Sequence, residues 1–293
     1  MKLHLGAGQS GLDVNLGASL EFDTMKKLFV VFMFLPLLCY GQSDEVMQRL
    51  LMCGRQANTT ISIDAGTPYA SWKVIATDTN TTALLDSSAS GISPMSKMPN
   101  AATGPQLFED TTNGYYYYCS DSSYFASTND AAFSSTQKTI SIWVGVNNAH
   151  PASQEMIFSK YNFTTKKIEY ALVWRSDRSV QLTIENTNET KYVFSRTKPL
   201  PTNVLTHVVA TWNGGTNVHL YTNGVFASTN ITVVGGFTGS DYTATTTAPQ
   251  IYNAADGAVG NGLFSDCSYF TNVLSAEQIV NRYALGRSSI TTP

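Results

Sequence analysis

From residue 114 onward the chain alternates apolar and polar positions in short runs bounded by turn residues. "YYYYCS", "KTISIWVGV", "EMIFSKY", "EYALVWRS", "SVQLTIEN", "KYVFSR", "THVVATW", "NVHLYTN", "ITVVG", "PQIYN" and "FSDCSYF" are each rich in β-branched and aromatic residues. "TTISID" and "ASWKVIAT" precede them. A period of two in such runs predicts strands. Asn113-Gly114, Ser176-Asp177, Asn213-Gly214-Gly215 and Asn223-Gly224 supply turn chemistry between them. Many short strands separated by turns predict an all-β fold, a two-sheet antiparallel sandwich or jelly roll. The same period places Val208, Ala210 and Trp212 on one strand face, with His207, Val209 and Thr211 on the other. Trp143 opposes Ile140, Ile142 and Val144, so it lies either under a second sheet or on a ligand-facing surface.

Two segments read as helices. In "SAEQIVNRYALG" Ser275 can cap the first turn, Gln278 completes a capping box and Gly286 ends the helix. "DEVMQRLLM" (44–52) pairs Val46 with Leu50 and Met47 with Leu51, predicting a short N-terminal helix. "LLDSSASGISPMSKMPNAATGP" reads as a long surface loop, and the tail 288–293 as flexible.

"MKKLFVVFMFLPLLCYGQ" has the order of a secretory signal: two lysines, a short apolar run, then small residues. The run is shorter than the roughly 20 residues a membrane-spanning helix needs. The expected organisation is therefore a non-native extension at 1–24, a signal peptide at 25–41 starting at Met25, and a mature chain from Gln42. The N-terminal helix and lead-in occupy 42–69, one jelly roll 70–287, and the tail the remainder. The mature protein is expected to be secreted or displayed at the cell surface, and not to span a membrane.

Composition narrows the classes. Charged residues make up 13% and the formal net charge is −3, which offers no basic footprint for nucleic acid. Removing the leader takes Cys39 with it and leaves Cys53, Cys119 and Cys267, an odd number with no C-x-x-C pair. His150, His207 and His219 form no ligand-spaced cluster. His207 sits among apolar neighbours with no acidic partner in sequence, which favours a packed, hydrogen-bonded structural histidine over a catalytic one.

Three segments in order, "YFASTNDAAFSSTQKTISIWV", "LTHVVATWNGGTNVHLYTNGV" and "GLFSDCSYFTNVLSAEQI", resemble the laminin-G-like, concanavalin A-like lectin/glucanase jelly rolls. The chain departs from that pattern at Leu205, Asn213 and Ser265, where the family has Trp, Asp and Asp. The resemblance implies that Cys119 and Cys267 lie on neighbouring strands, either as a disulfide or as two separately buried thiols, with Cys53 the spare. It also makes Asp266, with Asp121 and Asp256, the candidate calcium ligands, although calcium takes more oxygens than these carboxylates supply.

Catalytic signatures are missing from the sequence. Glycosidases of this fold type carry paired carboxylates on one strand. The nearest match, Glu185 and Glu189 in "ENTNE", puts them about 13 Å apart along a strand, beyond retaining and inverting separations. G-x-S-x-G, H-E-x-x-H, P-loop and dinucleotide motifs are absent. Aromatic residues at 11% suit stacking on sugars. Trp143 and the rim-loop pair Asp241-Tyr242 are the candidate ligand contacts. These features predict an exported, non-catalytic module that binds a polysaccharide or glycoprotein. A structural or adhesive surface or virion protein is the alternative, and a glycoside hydrolase the third reading.

Overall fold

A computed structural model describes residues 2–3, 14–15, 64–74, 83–88, 94–98, 104–119, 123–147, 155–162, 165, 167–186, 190–252 and 262–286. The chain divides into two compact units, Met1–Thr59 and Thr60–Pro293. In the first, Lys2–Leu3 pairs antiparallel with Val14–Asn15. The signal segment, the N-terminal helix, the tail, Asp121, Asp256, Cys53 and Glu189 lie outside the described residues.

The second unit is built from two sheets. In one, the strands run in the order Val225–Phe226, Val218–Thr222, Thr206–Trp212, Lys138–Val146, Gly262–Phe270, Gly114–Cys119 and Gln106–Asp110. Ala70–Trp72 pairs with the far end of Gly262–Phe270. The other runs Ile231–Val234, Tyr192–Arg196, Val180–Glu185, Lys167–Trp174, Glu155–Asn162, Gln250–Ile251, Tyr124–Ala126, Met95–Met98 and Ala83–Leu84. Neighbouring strands pair antiparallel, so the predicted all-β, two-sheet jelly-roll architecture is what the chain adopts.

Alternation decides the core. Ile140, Ile142, Val144, Val208, Ala210 and Trp212 from the first sheet meet Leu172, Trp174, Leu182 and Ile184 from the second, all without solvent exposure. Burying a large apolar side chain contributes roughly 1.5–3 kcal/mol, so this face sets the register. Trp212 also donates its indole N–H to the Gly215 carbonyl at 2.6 Å. Asn223 and Gly224 take φ of 49° and 79° between the paired Thr222 and Val225, the two-residue turn that Asn-Gly favours. Asn223 Oδ1 accepts the His207 backbone N–H at 3.0 Å, so this turn grips the neighbouring strand.

The helix Ala276–Leu285 has the expected capping box between Ser275 and Gln278, and Gly286 follows at φ 67°. Its Ile279 packs with Val209, Phe270 and Leu274, which places the helix on the outer face of the first sheet.

Two expectations are corrected. The stretch read as a long surface loop contains the strand Met95–Met98. Met95 and Lys97 are buried there, because "MSKM" carries a strand alternation hidden among loop-forming residues. Cys119 and Cys267 are both free and buried. Their strands pair, but Cys119 faces Gly262, five residues before Cys267. That offset puts the two Cα atoms about 15 Å apart at the strand rise, well beyond the roughly 7 Å a disulfide spans.

Candidate functional site

The outer face of the first sheet carries a row of polar side chains where an exposed sheet would show solvated ones. Ser141 and Trp143 point away from the core because Ile140, Ile142 and Val144 point into it. Register brings His207 opposite Trp143, Ser268 opposite Ser141 and Ser71 opposite Ser268. A bulge between Ser265 and Cys267 adds Asp266 as an extra residue. Bulges re-aim side chains in this way, and Asp266 lines the same face. The C-terminal helix closes one side with Arg282 and Leu285. The result is a cleft of about 470 Å³.

Its polar groups are linked to one another. Ser71 Oγ and Ser268 Oγ lie 2.9 Å apart, and Arg282 Nη2 donates to Ser268 Oγ at 2.9 Å. Ser141 Oγ and His207 Nε2 share a hydrogen bond of 2.9 Å. Asp266 Oδ1 accepts the Val74 N–H at 2.8 Å. Trp143 is half-buried, its ring 5.0 Å from His207 and 5.9 Å from Tyr283 of the helix. Arg282 lies over the Phe270 ring at 4.8 Å.

A serine bonded to a histidine suggests a nucleophile and its base, but the electrostatics oppose that role. Burial, and then the Arg282 cation, hold His207 neutral with a pKa lowered to about 3. Such an imidazole is a poor proton acceptor at neutral pH. Its Nδ1 is buried with no hydrogen-bond partner, where a triad would place an orienting carboxylate. The pair is a fixed polar surface.

The remaining sequence candidates lie elsewhere. Tyr242 packs on Trp212 with ring centres 4.7 Å apart. Its hydroxyl accepts from Lys138 Nζ at 2.6 Å and donates to Glu169 Oε1. Asp241 is paired with Lys191 at 2.7 Å and accepts the Thr238 N–H, contacts that hold its carboxyl at about 2. Neither lines the cleft.

Among the described residues no group of three or more His, Cys, Asp and Glu side chains could hold a metal ion. Asp266 has an N–H donor on one oxygen and shares the cleft with the Arg282 cation, where calcium needs a shell of oxygens. The described residues do not fit a calcium site.

A second cluster escaped the sequence reading. Lys138, Lys160 and Glu169 are all buried without exposure. Lys160 Nζ lies 3.0 Å from Glu169 Oε2 and Lys138 Nζ 3.9 Å from Oε1. Glu169 also accepts the Thr245 N–H at 2.7 Å. A register shift between Lys160 and Tyr161 leaves Glu169 without an opposing residue. Lys138 sits 4.2 Å from the Tyr170 ring centre, and burial lowers its pKa to about 7 despite Glu169.

Among solved structures, the receptor binding domain of botulinum neurotoxin C/D mosaic serotype is similar at a TM-score of 0.55 and 16% identity. The match covers 76% of this chain and 52% of that one. The serotype D ligand binding domain, solved in complex with N-acetylneuraminic acid, matches at 0.53 and 16%, covering 77% and 52%. A Trypanosoma rangeli sialidase in complex with 2,3-difluorosialic acid matches at 0.52 and 11%, covering 77% and 34%. The chain thus spans about half the length of the neurotoxin structures, and the likeness is one of fold. No curated protein sequence matches the chain. The Laminin_G_3 model, described as concanavalin A-like lectin/glucanases superfamily, matches residues 119–280, the span that holds both sheet centres and, of the cleft, Ser141, Trp143, His207, Asp266 and Ser268. The chain belongs to this laminin-G-like family of the concanavalin A-like superfamily.

Proposed function

We propose that the protein is an exported, non-catalytic binding module that recognises carbohydrate, on a polysaccharide or a glycoprotein, in the outer-face cleft. The observation that carries the reading is the cleft's composition. A half-buried indole, Trp143, stands among serine hydroxyls, a neutral imidazole, a carboxylate and a guanidinium. A sugar presents apolar C–H faces and a ring of hydroxyls, and needs a ring surface with convergent donors and acceptors. Two of the similar structures hold sialic acid compounds, which supports a saccharide as ligand class. The neutral, unoriented His207 beside Ser141 supports binding without hydrolysis. No helix among the described residues is long and apolar enough to cross a membrane, and export rests on the leader-like segment at 25–41.

A glycan array probed with the full chain tests the reading. Selective capture of a glycan class, weakened several-fold by Trp143→Ala and accompanied by no sugar release, supports it. Release of free sugar from a captured glycan, or capture indifferent to Trp143, contradicts it.

A further inference from the structure

We propose that the cleft selects acidic saccharides and that Arg282 holds the carboxylate of the bound sugar; this rests on the carbohydrate reading above. Arg282 lines the cleft from the last turn of the C-terminal helix. Among the described residues its one hydrogen bond runs from Nη2 to Ser268 Oγ. Nε is buried without an acceptor. The carboxylate whose charge acts on the guanidinium is that of Asp266. A guanidinium carries five N–H donors in a planar fork, and leaving buried ones unmade is costly. An oxyanion supplies the missing acceptors, and a planar carboxylate matches the fork.

The surroundings favour the same ligand. Lys73 is exposed at the cleft, so two cations face the single carboxylate of Asp266. Asp266 Oδ1 accepts the Val74 N–H. The Ser71–Ser268 and Ser141–His207 pairs can exchange hydrogen bonds with ring hydroxyls. Phe270 beneath the guanidinium, at 4.8 Å, fixes its plane, so less freedom is lost on binding.

The test titrates the isotope-labelled full chain by NMR with glucuronic acid and N-acetylneuraminic acid, and with glucose and N-acetylmannosamine as neutral counterparts. At least one acid should shift the Trp143 indole and Ser141 amide signals about tenfold more tightly than either neutral sugar, the scale of one charged hydrogen-bonded contact. Arg282→Met should remove that preference, and Arg282→Lys should keep part of it. Thermal melts of both variants, with signals of the buried Trp212 indole unmoved, show that the fold is retained. Neutral sugars binding as tightly as the acids, or a preference unchanged in Arg282→Met, would overturn the acidic selectivity while leaving the carbohydrate reading intact. If no sugar shifts the cleft signals, both readings fall.

Discussion

Ser141 Oγ and His207 Nε2 lie 2.9 Å apart on neighbouring strands, with no acid on the far side of the imidazole. This makes a hydrogen-bonded pair without the means to generate a nucleophile. Ser141→Ala should therefore change ligand binding by several-fold at most and should abolish no hydrolytic activity. A hydrolase assay in which the wild type turns over a glycan or ester and Ser141→Ala does not would contradict this assignment.

The same imidazole fixes an acid-side pH dependence. The folded protein holds His207 neutral down to about pH 3, whereas an unfolded histidine takes its proton near 6.5. Between those values the unfolded state binds the extra proton, so stability falls as pH drops from 6.5 toward 3. Denaturant melts of the wild type and His207→Asn at pH 7 and pH 4.5 should show a smaller loss in the variant. Equal losses would remove His207 from the acid limb.

Lys138 makes the opposite side of neutrality informative. Its pKa is lowered to about 7 in the fold, against about 10.4 in an unfolded chain. Between these values the unfolded state holds more protons, so the contribution to stability rises with pH from 7 toward 10. Lys138→Met should flatten that rise. Glu169→Gln leaves two lysines buried without their counter-ion and should cost roughly 3–5 kcal/mol. A Glu169→Gln protein as stable as the wild type would show that the cluster is not held by this carboxylate.

The two tryptophans singled out in the sequence should behave differently. Trp212 is fully buried in the core, and Trp212→Ala should destabilise the fold by about 3–5 kcal/mol. Trp143 is half-buried on the outer face and its alanine variant should lose less stability than that. Comparable losses measured by urea unfolding would place Trp143 in the structural core.

Much of the fold was legible because strand alternation and turn chemistry are local. The period-two pattern separated Trp143 from Ile140, Ile142 and Val144, and the capping box marked the helix start at Ser275. Where that helix docks was not legible, since Ile279 meets Val209 and Phe270 only through the sheet's long-range order. His207 has no partner near it in sequence, because the Ser141 it bonds lies 66 residues earlier. Sequence makes Asp266 a candidate metal ligand, but a bulge that no local pattern announces turns it into the cleft. Tyr242 was expected at a ligand rim, whereas its hydroxyl engages Lys138 and Glu169, charged residues whose burial no composition rule foretells.

The central claim is that a saccharide sits against Trp143 in the outer-face cleft. Trp72, Trp174 and Trp212 have no solvent exposure, so acrylamide quenching of the protein's tryptophan emission reports chiefly on Trp143. A glycan captured on the array should protect the emission from quenching in the wild type and have no effect in Trp143→Phe. Binding of that glycan with unchanged quenching would contradict the account and place the site elsewhere on the molecule.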